Sequence, residues 1–450
     1  MIKNKAMIKT VLIVLTVAGL AVLSAGCGDD KPEPQVDIKS IEAPGFERTV
    51  ITEEHSKNGE IYTHGDDGYY LLAENGAATE FYTEHKEHGG TYWACAAATS
   101  MESSALVRGK DKITVDPSDV VKAVYDEDKS EGICPENINI WDYGGKGWPV
   151  VETLSNGFGK YYLSAAIDCK GLPKDTVKEL IKTHGAMTMG INSIHNGRWL
   201  YDGYLTQYDH DNEDDHMVAV VGWDDHFPKE YFRETPSGDG AWITQDSSID
   251  GDYVYISYDT QIENAYIFEL SDDHHDILSY EGGCRGSIST DGEVFSGRYP
   301  TVNDDPVKRD EGQSAEIALA NIFHKNGMLT AVGTYILDGC KSIDISIYDE
   351  KTGELLHEQK ASFDEPGYYT VPLDKQLEAD GFRIEVVYDG AVPVEGEESF
   401  DGHLRYKATS EKGQSYIRIS DRWYDLADPQ TKEKLGIGFT PNNACIKAIF

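Results

Sequence analysis

Tyr92 is the residue whose placement most constrains the chemistry open to this chain. The stretch from Lys86 to Gly109 turns at Gly89 and Gly90, passes Thr91, and then sets apolar residues at 94, 97, 98, 101 and 105. That spacing predicts a buried helix starting at Tyr92, with Thr91 suited to the N-cap and Gly109 to the left-handed position past its end. The first helical residue lies among unpaired N–H groups at the positive end of the dipole, where a developing negative charge is favoured. A thiolate would be reactive there, whereas a phenol with an ordinary pKa of about 10 is a poor nucleophile toward an amide. Lys86 adds an ammonium beside the same helix end, and two positive ends call for Glu87, solvent or an anionic ligand group between them. Cys95, one turn further along, reads as a packed thiol.

Other clusters of reactive side chains lack a pattern. Residues 209–215, Asp-His-Asp-Asn-Glu-Asp-Asp, have neither the central glycine of a Ca²⁺ loop nor zinc-ligand spacing, and 272–276, Asp-Asp-His-His-Asp, are equally irregular. Both read as solvated loops, so no metal and no cofactor is expected. Beyond Cys27, cysteines 95, 134, 169, 284, 340 and 445 are scattered without close pairs, leaving one or two bridges open and their pairing undetermined. With 79 acidic against 40 basic side chains, the surface is unsuited to nucleic acid or to an anionic bilayer. At 450 residues the chain accommodates two or three domains.

Elements that could position a site follow in order. Asp116-Pro117-Ser118-Asp119 predicts a helix with Asp116 as N-cap, Pro117 at its first position and Val120, Val121 and Val124 inward. Helices are also expected over 149–155 and 172–183, the latter ended by Gly185. From there strands are expected over 185–193, 216–223, 240–246, 252–258 and 264–270. Past about residue 285 helical signals nearly vanish. Short strands, among them 329–335, 343–348, 367–371 and 382–388, alternate with Gly, Asp and Pro turns at the intervals of a β-sandwich.

The N-terminus has Lys3, Lys5 and Lys9 before an apolar run over 11–22, then Leu23-Ser24-Ala25-Gly26-Cys27, which resembles a bacterial lipoprotein signal with its lipobox. The resemblance implies cleavage before Cys27 and a lipid on that residue, tethering an extracytoplasmic protein to the cell membrane without spanning it. Residues 27–45, with Asp29, Asp30, Pro32 and Pro34, read as the tether.

The Trp93-Ala94 start of the Tyr92 helix and its Glu102-Ser103 pair resemble the papain family of cysteine peptidases, whose active-site helix opens with Cys-Trp-Ala. Two further motifs follow in the family's order. Asp142-Tyr143-Gly144-Gly145 stands where the family has Cys-Asn-Gly-Gly, and 216–225, His-Met-Val-Ala-Val-Val-Gly-Trp-Asp-Asp, is similar to the family's histidine strand. The resemblance implies that Tyr92 takes the nucleophile position and Lys86 the position of the oxyanion-donating Gln. It makes His216 the general base and Asp246, in place of Asn, the group that orients it. Gly144, Gly145 and Trp93 would line the binding cleft. Ser248 replaces a shielding Trp, which is expected to open the His–Asp pair to water.

The fold implied is α+β, a papain-like domain of a helical lobe and a β-rich lobe over 46–280, then an all-β sandwich over 285–450 that resembles the lectin-like domain of some bacterial surface proteins. Residues 1–26 are the expected signal peptide. The functional expectation is an inactive peptidase homologue at the cell surface that binds an extracellular peptide, protein or glycan. Two alternatives stay open, an active papain-type peptidase with an atypical site, and a scaffold in which only the sandwich binds.

Overall fold

In the computed structural model the Tyr92 helix, α1 (Tyr92–Val107), is wrapped on all sides: every residue from Trp93 to Ala105 is buried. The structure describes residues 51–55, 61–84, 89–192, 198–208, 214–249, 251–272, 276–288, 294–296, 317–419, 422–431, 433 and 440–450. All of them belong to one compact unit, Glu42–Phe450. The expected signal, Cys27, the tether and Lys86 lie outside the described residues. So do parts of the two acidic loops, 209–213 and 273–275. Among the described residues no helix is long and apolar enough to cross a membrane.

Local signals set the helices where expected, with small shifts at their ends. Gly109 adopts φ +69°, and Lys110 N–H closes the helix end by donating to Ala105 O at 2.9 Å. Thr91, however, makes no side-chain cap on α1. Helix α2 (Pro117–Val124) is capped by Asp116, whose carboxylate accepts from Ser118 N–H at 2.8 Å, and Val120, Val121 and Val124 are fully buried. Helix α3 (Gly147–Leu154) starts two residues before the expected 149, and α4 (Lys174–His184) ends at Gly185.

The β-rich lobe is an eight-stranded sheet in which His216–Asp224 is central. Met187–Ile191, Ala241–Gln245 and Tyr69–Leu71 all pair with it antiparallel. Tyr253–Ser257, Tyr204–Gln207, Trp199–Tyr201 and Ile51–His55 continue the sheet outward. Ser103 Oγ of α1 accepts from Ala186 N–H at 2.8 Å, and a Cβ on Gly185 would lie 2.6 Å from Ser104 N, so helix and sheet meet at backbone distance.

The C-terminal half is not strung on behind. Two strands of the first half, Tyr266–Ser271 and Tyr162–Asp168, continue directly into Gly367–Ala379, Gly327–Ile336, Ile446–Ile449 and Ile277–Leu278 as one six-stranded sheet. A second six-stranded sheet, from Leu355–Ser362 through Ile317–Phe323 to Arg422–Asp425, packs on it as a sandwich around Ile345, Ile384, Val386 and Ile446. A third seam joins Ser399–Phe400 and Leu404–Lys407 to Gly132–Pro135 of the first half. Between the halves, the fully buried ammonium of Lys447 bonds Asn156 Oδ1 at 2.9 Å, Ser279 Oγ at 3.2 Å and Glu281. The Arg285 guanidinium lies between the rings of Trp148 and Tyr406, 4.1 and 4.0 Å from their centroids.

Candidate functional site

Tyr92, His216 and Asp246 meet in one cleft, although helix α1 and two different strands carry them. His216 opens the central strand and Asp246 follows Ala241–Gln245, its neighbour in the sheet, so the sheet register brings imidazole and carboxylate together. His216 Nε2 and Asp246 Oδ1 are 2.9 Å apart. The Tyr92 ring stands against the imidazole with 4.8 Å between centroids and a tilt of 56°.

The carboxylate of Asp246 is held by more than its histidine. Ser248 donates both its N–H, at 2.9 Å, and its hydroxyl, at 2.6 Å, to Oδ1, and the guanidinium of Arg198 pairs with Oδ2. Burial alone would raise this carboxyl, but His216, Arg198 and Ser248 together hold it well below the usual carboxylate range. The charged form of Asp246 is thereby favoured despite its burial. Arg198 carries no motif and was not legible as a site residue. What makes it one is a contact across 48 positions of sequence.

The expectation that loss of the shielding Trp opens the pair to water is wrong. The side chains of His216 and Asp246 are fully buried. Arg198 covers the far side of the carboxylate, and Ser248, standing where the indole was expected, turns its hydroxyl onto the anion instead of leaving a gap.

On the opposite wall Gly144 adopts φ +85°, and a Cβ there would lie 2.7 Å from the Tyr92 hydroxyl oxygen. Tyr92 thus fills the space between the imidazole and the glycine backbone, where a nucleophile and the carbonyl it attacks would have to be. Gly145 is needed for a different contact, because a Cβ on it would meet the Trp93 ring at 2.4 Å. Trp93 itself does not line the cleft as expected. Its indole is completely buried and Nε1 donates to Gly90 O at 2.9 Å, fixing the turn before α1 on the 141–145 loop.

Cys95 lies one turn along α1 beneath Tyr82 and Ser247. Its thiol is pushed up to about 12, first by burial and then by the Glu84 carboxylate, with hydrogen bonds to Ser247 and Thr91 only partly opposing them. A thiol in that state offers almost no thiolate at neutral pH. Thr91 thus faces this thiol, and that contact stands where the expected helix cap is missing. The six cysteines after Cys27 are all buried and free. Glu102, whose buried carboxylate accepts from Tyr82 and, at 3.0 Å, from Val115 N–H, ties α1 to neighbouring loops and takes no part in the cleft.

Outside the Tyr92–His216 contact the cleft opens into a cavity of about 280 Å³ that also meets Tyr125, Tyr143, Lys146, Trp148, Asp214, Asp401 and Leu404. Lys146 and Asp214 form an ion pair at 2.9 Å across it, and Asp401 and Leu404 come from the C-terminal half. Among the described residues no group of three His, Cys, Asp or Glu side chains could hold a metal ion.

Comparison with known proteins agrees with this architecture. Residues 307–450 match the family model of the lectin-like domain. The fold is similar to the clostridial cysteine protease Cwp84 after propeptide cleavage, with TM-score 0.63, 17% identity, and 85% of this chain and 98% of that chain covered. It is similar as well to the cysteine protease and lectin-like domains of Cwp84, a surface layer associated protein of Clostridium difficile, with TM-score 0.62, 16% identity, and 87% and 90% of the two chains covered. No curated protein sequence matches the chain. A histidine–carboxylate pair on the sheet, a buried helix aimed at it and strands joined into a sandwich agree with these likenesses, and the chain has a papain-like fold followed by a lectin-like domain.

Proposed function

We propose that this protein is a lipid-anchored, extracytoplasmic member of the papain-like group that has lost peptidase chemistry and uses its cleft to bind an extended extracellular ligand, a peptide or protein segment in the first place and a glycan in the second. The observation that carries the reading is the Tyr92 ring, which lies on His216 in the nucleophile's place. His216 and Asp246 have the arrangement of a general base and its orienting group, yet a phenol stands against the imidazole, and burial with the Glu84 carboxylate pushes the Cys95 thiol up to about 12. Retention of an open cavity beside Tyr92 supports binding over a filled, vestigial pocket. The lipobox-like run ending at Cys27 supports the anchor, and exposed Trp423 on the sandwich offers a separate surface for the scaffold alternative.

The test uses the full chain purified in detergent. Peptide substrates should show no turnover above background; turnover lost in Cys95→Ser but kept in Tyr92→Phe would make Cys95 the nucleophile and overturn the reading. In calorimetry Tyr92→Ala should weaken peptide binding. If it has no effect while Trp423→Ala abolishes binding, ligand recognition belongs to the sandwich. Mass spectrometry should find the mature N-terminus at a lipidated Cys27, and an unmodified residue there would remove the anchor.

A further inference from the structure

The junction between the halves holds a side-chain cluster that takes no part in the cleft. Lys447 lies on the last strand of the sandwich, Asn156 just past the end of α3, and Ser279 and Glu281 on the segment between the two halves. The side chains of Lys447 and Glu281 are fully buried. Lys447 Nζ has an acceptor for each of its N–H groups: Glu281 Oε1, Ser279 Oγ at 3.2 Å and Asn156 Oδ1 at 2.9 Å. The Ser279 hydroxyl in turn donates to the other carboxylate oxygen of Glu281.

Packing leaves the lysine little freedom. Lys447 pairs with Gly333, where a Cβ would lie 3.2 Å from Lys447 Cβ and 2.3 Å from the Tyr368 hydroxyl. The buried Tyr335 places its hydroxyl 3.2 Å from Ser155 Oγ, next to Asn156. On the far side of its amide, Asn156 Nδ2 donates to Glu152 O at 3.0 Å. The amide carbon of Asn156 therefore stands one bond beyond the oxygen that the lysine nitrogen already touches.

An amine, an amide and a carboxylate able to take a proton are the parts of an aminolysis. Groups held in such contact react as if at concentrations of about 10⁵ to 10⁸ M when well aligned. A buried ion pair also carries a desolvation cost that its own attraction offsets only in part, and a reaction that removes both charges relieves it. The amide has a second nucleophile nearby, Gly157 N, but that N–H is engaged by Leu154 O at 3.0 Å.

We propose that Lys447 and Asn156 become joined by an amide bond, with Glu281 as the proton acceptor, so that the last strand of the sandwich is covalently fastened to the papain-like half. One Nζ proton passes to Glu281, and the freed lone pair attacks Asn156 Cγ. A second Nζ proton goes to Nδ2, the Cγ–Nδ2 bond breaks and ammonia leaves. The third hydrogen stays on the new amide nitrogen, beside a neutral Glu281, and nothing is oxidised or reduced. Asn156 stands at the surface, which gives the ammonia a way out. The bond links positions 291 apart in sequence.

The full chain, purified in detergent, is unfolded, digested with trypsin and read by tandem mass spectrometry. Residues 147–160 and 435–450 should appear as one branched peptide, lighter by one ammonia than their sum and uncut after Lys447. Glu281→Gln keeps an acceptor for Lys447 and should return 147–160 and 435–447 as separate peptides. Asn156→Ala, a surface change that leaves the Lys447–Glu281 pair in place, should do the same and lower the thermal midpoint. A wild-type digest that holds only the separate peptides overturns the proposal. So does ammonia loss confined to 147–160, the mark of attack by Gly157 N, and so does a branched Lys447 peptide that persists in Asn156→Ala. Branching that survives in Glu281→Gln supports the bond and overturns the role given to Glu281.

Discussion

The two sides of the cleft have kept different things. The strand side holds His216, Asp246, Arg198 and Ser248 in a buried network whose charges are paired. The helix side presents a phenol at the first position of α1, and the nearest thiol along the helix is buried one turn deeper. The difference is physical. A buried carboxylate paired with a guanidinium cannot lose one partner without leaving an uncompensated charge, so stability alone preserves it. The first residue of a helix carries no such obligation, and here it is a ring that packs on the imidazole. On the function proposed above, the geometry of a base outlasts its chemistry.

The largest expected effect breaks the strand side. Asp246→Asn leaves Arg198 buried opposite a neutral amide and should destabilise the protein by about 3 to 5 kcal/mol in denaturant unfolding. A loss below about 1 kcal/mol would mean that the network is incidental and that the contrast between the two sides does not arise from stability.

Next in size is the inertness of the thiol on the helix side. With Cys95 pushed up to about 12, its thiolate fraction at pH 8 is below that of an ordinary thiol by roughly three powers of ten. Alkylation followed by peptide mass spectrometry should find Cys95 labelled at least about 10³-fold more slowly in the native than in the unfolded chain. Comparable rates would place a reactive thiol inside the cleft.

Tyr92→Cys sharpens the comparison by restoring the missing group. A thiol against His216 should react with peptide chloromethyl ketones about 10²-fold faster than wild type, the usual lower range of general-base assistance. If the rate does not change, the base side has lost function as well as its partner, and the two sides are alike after all.

The smallest effect is the pH dependence of the first. Because the folded pKa of Asp246 is depressed, its contribution is complete above the unfolded value of about 3.9 and is lost as pH falls through the lower folded value. The stability gap between wild type and Asp246→Asn should thus be constant from neutral pH to about 4 and narrow below it. A gap that closes already near pH 6 would point to histidine titration instead.

Much of the site was legible because its parts are local. Asp116-Pro117 specifies a helix start through one side-chain bond and one preset φ, and the continuous apolar run after His216 specifies a strand buried on both faces. The end of α1 at Gly109 follows from a single left-handed residue. Trp93 was misplaced for the same reason. Beside Tyr92 it looks like a cleft residue, but helical rotation turns its indole inward onto Gly90 and Gly145.

The residue order thus determined the helix and strand periods and the identity of the group at each position of the cleft, Tyr92 at the start of α1 among them, since each depends on a few neighbours in sequence. Tertiary structure alone decided three other things: that Arg198 neutralises Asp246, that strand Tyr162–Asp168 is shared with Gly367–Ala379, and that the turn at Asp401 walls the cleft. Each joins segments tens to hundreds of residues apart. Hydrophobic periodicity says which face of an element is buried but not which other element covers it, and that choice is made only when the whole chain packs.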